Sequence, residues 1–505
     1  MTLEELVGER LVIGVPGAIV TPEIVRHFRE TRAGGLILYR INFVSPRQIR
    51  KFISDLEGAL ERKLLVTADH EGGRVIMFRD GITVFPDALA FGTAGNVSAA
   101  RRQGSIEARE LRRLGIDVNL APVLDVLTES YSPNIGIRSF GSDPKLVGEM
   151  GAARISAMQA GGLSACAKHF PGKGHAPLDA HLALPVILST WKEMEAVHLK
   201  PFLRAIHAGV DAIMSSHPYY PNLDAGEKSI ATFSRKIIHD TLRTRLGYRG
   251  VISSDDLEMG AVREICPVGE AAVRAAKAGH DLLLVCHDMA AQKEACRSLL
   301  AAARDKVLPL RELEESAERI AALKAKRRDR FEKGPLRPEP AGAALAGKVA
   351  RGSVTLQRPG PLPRRKELKR EKVLIIFPDL SELAEKIMVE KDEAGVPRFL
   401  KRESARFGLR PRIWVTAVEN QPEEAARAGA EAAKADWTIL FLWDAHLLPG
   451  NRKLLDAVQG SAKRLVVATL RDPYDAEFVR EGTACLTAFG WRSCQVRAVL
   501  GKILS

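Results

Sequence analysis

The chain has 505 residues, of which 46% are hydrophobic and 27% charged, with a formal net charge of +13. This length predicts two or three domains, each able to bury a core, and the composition excludes a disordered chain. The charge does not point to nucleic acid: Lys324–Lys372 alone holds 16 Lys/Arg against 5 Asp/Glu, so the basicity belongs to one linker-like stretch without the repeated aromatic interleaving that base stacking uses.

In chain order, Met1–Leu11 carries three Glu and no continuous apolar stretch, so it does not read as a signal peptide. No apolar run approaches the ~20 residues that span a bilayer. Short β-prone runs then alternate with helical periodicity. The predicted strands are Arg10–Val15, Gly35–Tyr39, Leu64–Ala68, Val118–Pro122, Leu163–Lys168, Ala212–Ser216, Gly250–Ser254 and Leu282–Cys286. Helices are predicted between them at Pro46–Leu60, Ser98–Leu114, Lys145–Ala160, Lys192–Ala208 and Ser234–Leu246, most closed by a glycine suited to a C-cap. Eight strands with helical crossovers predict an α/β fold, a (β/α)8 TIM-type barrel over residues 1–326.

Residues 327–371, rich in Lys, Arg, Pro and Gly, read as a linker with a short helix at Ala343–Val354. From 372 to 505 a second pattern predicts a smaller three-layer α/β/α domain. Its strands are expected at Val373–Phe377, Arg412–Val415, Thr438–Trp443 and Leu465–Leu470, and its helices at Glu382–Val389, Glu423–Ala433 and Ser493–Leu504.

A TIM-type barrel builds its site on the loops that follow the strands, and the polar residues fall there. Asp69-His70-Glu71-Gly72-Gly73-Arg74 follows the third strand, and Arg138 lies in the loop after the fourth. Lys168-His169 ends the fifth, His217 the sixth and Asp255-Asp256 the seventh. The fifth strand opens into Phe-Pro-Gly-Lys-Gly, then Asp179-Ala-His181, where one small residue lets the two side chains bend together as orienter and base. Of the adjacent carboxylates, one can attack while the other caps a helix or holds the loop. Glu71 and Arg74 read as a structural ion pair. His217 is either a pocket-wall residue or a substrate contact.

Asp69-x-Glu71-Gly-Gly-Arg74-Val75, Arg138-Ser-Phe, Lys168-His169-Phe-Pro-Gly-x-Gly with Asp179-x-His181-x-x-x-Pro185, and Ser254-Asp255-Asp256-Leu-x-Met259 together resemble family-3 glycoside hydrolases, in particular the β-N-acetylglucosaminidase subgroup, over about residues 3 to 325. The resemblance implies retaining hydrolysis of terminal β-linked N-acetylglucosamine, from cell-wall muropeptides in many members. It implies Asp255 as nucleophile, His181 as proton donor and acceptor, Asp179 as the carboxylate that orients it, and Asp69, Arg138, Lys168 and His169 as the sugar-binding set; His217 is grouped with these.

The chain departs from the family pattern at Lys173, where a His is usual in the Gly-x-Gly turn, at Ala180 in place of Ser, at Glu258 in place of a small residue, and at Met77 in place of a basic sugar-binding residue, for which Arg79 is a candidate substitute. Arg471-Asp-Pro-Tyr474-Asp resembles the second domain of many relatives, for which a structural or loop-restraining role is expected.

The alternatives are a phosphorylase, since a neutral His base tolerates attacking phosphate, a β-glucosidase or β-xylosidase, and a sugar-binding module without turnover. Six cysteines without Cys-x-x-Cys or metal-ligand spacing suggest a reducing compartment. No metal and no cofactor is expected, the partner is a small carbohydrate and not nucleic acid, and the location is cytoplasmic.

Overall fold

The computed structural model describes residues 1–129, 131–175, 184–225, 230–326, 329–380 and 397–504. They form two compact units.

In the first unit the strands β1 (Leu11–Ile13), β2 (Gly35–Leu38), β3 (Leu65–Ala68), β4 (Val118–Asn119), β5 (Ser164–Phe170), β6 (Ala212–Ser215), β7 (Val251–Asp256) and β8 (Leu282–Val285) close in sequence order into a barrel. Every pairing is parallel, and β1 closes on β8 with Leu11 opposite Leu283 and Ile13 opposite Val285. All eight predicted strands are present, so the barrel is a (β/α)8 TIM-type barrel. Their sequences run apolar without alternation because both faces of a parallel barrel strand are covered. Val12, Ile37, Leu65, Val118, Cys166, Met214, Val251 and Leu284 belong to one buried cluster of the barrel.

The crossovers obey local signals. Ser45 caps Pro46–Leu60 and Asn96 caps Val97–Leu114, each accepting a bond from the third residue onward, and Gly115 ends the second helix in the left-handed conformation. The crossover predicted at Lys192–Ala208 contains one π-helical stretch, Met194–His198, and that predicted at Ser234–Leu246 is π-helical over Lys236–Arg245. This unit runs on to Gly342.

The second unit comprises Gly72–Ile76, Val84–Gly95 and Ala343–Ser505. Its six-stranded sheet has the order β11 (Arg412–Thr416), β10 (Val373–Pro378), β12 (Trp437–Leu442), β13 (Leu465–Thr469), β14 (Ala484–Thr487), β9 (Thr355–Arg358). The first five strands are parallel and β9 joins β14 antiparallel. Helices Pro422–Ala432 and Pro449–Ser461 pack on one side over Leu374, Ile376, Leu440, Leu442 and Val467. The span 327–371, read from sequence as linker, holds the helix Pro340–Ser353 and β9. The helix expected at Glu382–Val389 lies outside the described residues.

Candidate active site

The loop that follows β3 begins at Asp69, fixed from below by Asn119 at the end of β4. Its side chain accepts from the His70 N–H at 3.0 Å and donates to the His70 carbonyl at 2.9 Å. Arg154 donates to the Glu71 carbonyl at 2.8 Å while paired with buried Glu107, so the backbone carrying Asp69 and Glu71 is held on both sides.

On that frame sits a buried charge network. Arg138 forks onto Glu71, with Nε donating at 2.8 Å and Nη2 at 2.7 Å, and its Nη1 reaches the Asn134 carbonyl and side chain at 2.7 and 3.1 Å. Lys168 bonds Asp69 and lies 2.6 Å from Glu71. Glu71, expected against Arg74, is thus the carboxylate shared by Arg138 and Lys168; the two cations hold it far below the usual carboxylate range against the cost of burial. Among the described residues Arg138 uses four of its five N–H donors and Lys168 two of its three.

The two acids nearest the mouth differ. Burial raises Asp69, with Lys168 opposing it and the Asp255 charge adding to the rise. Asp255, on the tip of β7, also suffers burial, yet Lys173, His217 and Lys168 outweigh it and its carboxyl stays below the ordinary value. Asp69 is 22% exposed at its side chain and Asp255 18%, against 3% for Lys168 and 4% for Lys173. Carboxylates therefore line the opening and cations the wall behind it. Asp255 Oδ1 accepts the Asp256 N–H at 2.9 Å. Asp256 is the loop organiser of the pair: its Oδ1 accepts the Glu258 and Cys286 N–H groups, both at 3.2 Å, and His287 lies 3.3 Å from its Oδ2.

His169 is buried beside Asp125, its Nδ1 2.7 Å from Oδ2. Burial pushes Asp125 up to about 6 and His169 well below its usual range, which favours a neutral imidazole held by the carboxylate through Nδ1. Asp125 also accepts the Lys173 N–H at 2.7 Å, which makes it the hub of the Lys168–Lys173 loop. Sequence reasoning missed it; its signal was a carboxylate closing the apolar run Ala121-Pro-Val-Leu after the fourth strand. His217 is buried, with Nδ1 2.9 Å from the Thr232 hydroxyl and Nε2 2.9 Å from the Asp256 carbonyl. Both ring nitrogens are occupied, which favours the pocket-wall alternative while leaving its charge coupled to Asp255. Met77 is buried. Asp179 and His181 lie outside the described residues.

Asp69, Arg138, Lys168, His169, His217 and Asp255 are thus brought to one rim of the barrel. Among the described residues one trio, Asp444, His446 and Asp472 of the second unit, brings ligating atoms within 4.8 Å of one another. Arg471 pairs with both carboxylates of the trio, with Asp444 at 2.5 Å and with Asp472 at 3.1 Å. Asp475 holds His446 at 2.7 Å. Arg74 belongs to this unit, and its charge acts on Asp472.

A closed parallel barrel that gathers carboxylates, an imidazole and cationic side chains at one rim has the arrangement on which TIM-type enzymes build their sites. The Glycosyl hydrolase family 3 N terminal domain matches residues 2–323. The Beta-hexosaminidase of Methylobacillus flagellatus is 35% identical over 283 residues, 55% of this chain and 80% of that protein. The glycoside hydrolase family 3 beta-N-acetylglucosaminidase from Paenibacillus sp. str. FPU-7 superposes with a TM-score of 0.93 at 30% identity, over 100% of this chain and 97% of the other. NagZ from Neisseria gonorrhoeae, solved in complex with N-trifluoroacetyl-D-glucosamine, superposes at 0.53 and 29% identity over 62% of this chain and 97% of its own. The chain belongs to glycoside hydrolase family 3, and it is a glycoside hydrolase of the β-hexosaminidase kind. No helix among the described residues is long and apolar enough to cross a membrane.

Proposed function

We propose that the protein is a retaining exo-β-N-acetylglucosaminidase that releases terminal N-acetylglucosamine from peptidoglycan fragments in the cytoplasm. Asp255 attacks the anomeric carbon. His181, oriented by Asp179, gives a proton to the leaving oxygen and later takes one from water, as a double displacement requires. Asp69 accepts hydrogen bonds from sugar hydroxyls, and Arg138, Lys168 and His169 supply the opposing polar contacts, each charge-assisted bond contributing about 1.5–3 kcal/mol.

The observation that carries this reading is the state of Asp255: a strand-end carboxylate, open to the rim on one side, kept ionised by cations on the other. An ionised, rigidly held oxygen is what a nucleophile in this chemistry needs. The Paenibacillus relative's hexosamine activity supports the sugar. The barrel of residues 1–326 carries the chemistry in this reading, and the domain of residues 372–505 beyond the basic span has a structural role.

The test is release of chromophore from the 4-nitrophenyl β-glycosides of N-acetylglucosamine, glucose and xylose, with and without phosphate, by wild type and Asp255→Ala. The expected result is hydrolysis of the first substrate alone, indifferent to phosphate and lost in the variant. Equal rates in the two proteins would reject the nucleophile, and a phosphate-dependent sugar 1-phosphate would favour the phosphorylase.

A further inference from the structure

The loop after β5 buries a second lysine. Lys173 has a side chain only 4% exposed, and its ammonium lies 3.8 Å from Asp255 Oδ2. An ammonium leaves water only where opposite charge compensates it, and the loop is shaped to bring this one in. A Cβ on Gly174 would meet the Val126 carbonyl oxygen at 2.0 Å, and one on Gly172, whose φ is +120°, would meet His198 at 2.8 Å. The Gly-x-Gly turn can therefore press against its neighbours only with glycine at both flanks, and Asp125 and Tyr220 clamp it through the Lys173 N–H at 2.7 Å and the Gly172 carbonyl at 3.0 Å.

Burial lowers the pKa of the Lys173 ammonium; Asp255 on β7 and Asp125 after β4 oppose that fall, and Arg138 in the 3-10 turn Gly136–Arg138 and Lys168 on β5 add to it. Arg138 and Lys168 are already committed to Glu71. Asp255 is also acted on by Lys168 and by His217, whose pKa burial lowers and whose ring nitrogens are held by Thr232 and the Asp256 carbonyl; among the described residues the lysine left facing Asp255 at close range is Lys173.

We propose that Lys173 is a positioning residue for Asp255: it holds the carboxylate ionised and favours the half-reaction in which that carboxylate departs from the sugar. The inference rests on the reading of Asp255 as nucleophile. In glycosylation an Asp255 oxygen forms a bond to C1, the glycosidic C1–O bond breaks, and the leaving oxygen takes a proton from the acid. Asp255 becomes a neutral ester and the attraction of Lys173 for it is lost. In deglycosylation water oxygen bonds to C1, its proton goes to the base, and the C1–Oδ bond breaks with the electron pair returning to Asp255 beside the ammonium. A fixed cation thus opposes the first step and assists the second.

The test is carbon-13 NMR of the aspartate carboxyls, with the Asp255 resonance assigned by its loss in Asp255→Asn. In wild type Asp255 is expected to titrate below the ordinary ~3.9, and in Lys173→Met its midpoint is expected to rise by about one unit or more, with Lys173→Arg restoring it. Lys173→Gln serves if the Met variant does not melt cooperatively. With the 4-nitrophenyl N-acetylglucosaminide, the neutral variants should show a pre-steady-state burst, larger than that of wild type, as the glycosyl-enzyme accumulates. An Asp255 midpoint that moves by less than about 0.3 unit in the neutral variants, or a wild-type midpoint at or above the ordinary range, overturns the proposal. Because NMR needs no turnover, an inactive wild type would reject the hydrolase reading separately.

Discussion

Glu71 should be the costliest single carboxylate to remove from the rim. It accepts from Arg138 at 2.8 and 2.7 Å and sits 2.6 Å from Lys168; Glu71 and Lys168 are buried and Arg138 is 11% exposed at its side chain. Glu71→Ala strips the shared counter-charge from these two cations. Asp69 still serves Lys168 and Asn134 still serves Arg138, so the loss falls near the lower end of the range for breaking a buried pair, about 3 kcal/mol. At roughly 2 °C per kcal/mol for a domain of this size, the barrel's calorimetric midpoint should drop by about 6 °C.

The pH dependence is a second check. The folded pKa of Glu71 is depressed, so its contribution is present above the unfolded value of ~4.3 and fades as pH falls toward the folded one. The gap between wild type and Glu71→Ala should therefore stay constant from about pH 8 to pH 5 and narrow below pH 4. A midpoint within about 1 °C of wild type at neutral pH, or a gap that widens in acid, would refute the shared-carboxylate account.

Two further outcomes follow from buried carboxylates elsewhere. Asp125→Asn removes the charge that orients His169 and should lower kcat/KM on the N-acetylglucosaminide by about 10- to 100-fold, the equivalent of one charge-assisted hydrogen bond, with the melting midpoint measured alongside to separate orientation from unfolding. Asp87, in the second unit, is pushed up by burial to about 7. A raised carboxyl gives its full contribution below the unfolded ~3.9 and loses it as pH rises through the folded value. Asp87→Asn should accordingly gain stability relative to wild type between about pH 5 and pH 8 in calorimetry, and parallel curves would contradict this.

The barrel was legible because its strands are covered on both faces and so read as apolar runs, with caps such as Ser45 and Asn96 and a closing Gly115 between them. The second sheet was harder. β14, Ala-Cys-Leu-Thr, is only four residues long, and β9 is an edge strand inside a basic, Pro-rich span whose Leu356 faces solvent. The helix Pro449–Ser461 was missed because its apolar positions are few.

At the site, residues at strand ends were found because strand position alone predicts the rim. What escaped depends on tertiary approach. Glu71 finds Arg138, 67 residues away, and nothing local distinguishes that partner from Arg74. Lys173 in a glycine turn reads as a solvated surface lysine until the fold brings β7 beside it. Asp125, inside Val-Leu-Asp-Val, looks like the end of a strand until its two oxygens are seen to hold His169 and the Lys173 backbone.

The central claim is that Asp255 makes a covalent bond to the sugar, and the most direct measurement is mass-spectrometric peptide mapping after exposure to a slow 2-acetamido fluorosugar. The account predicts one added glycosyl mass on the peptide spanning β7, carried by Asp255 and absent in Asp255→Ala. A label on Asp256, or an unlabelled enzyme that still turns over substrate, would contradict it.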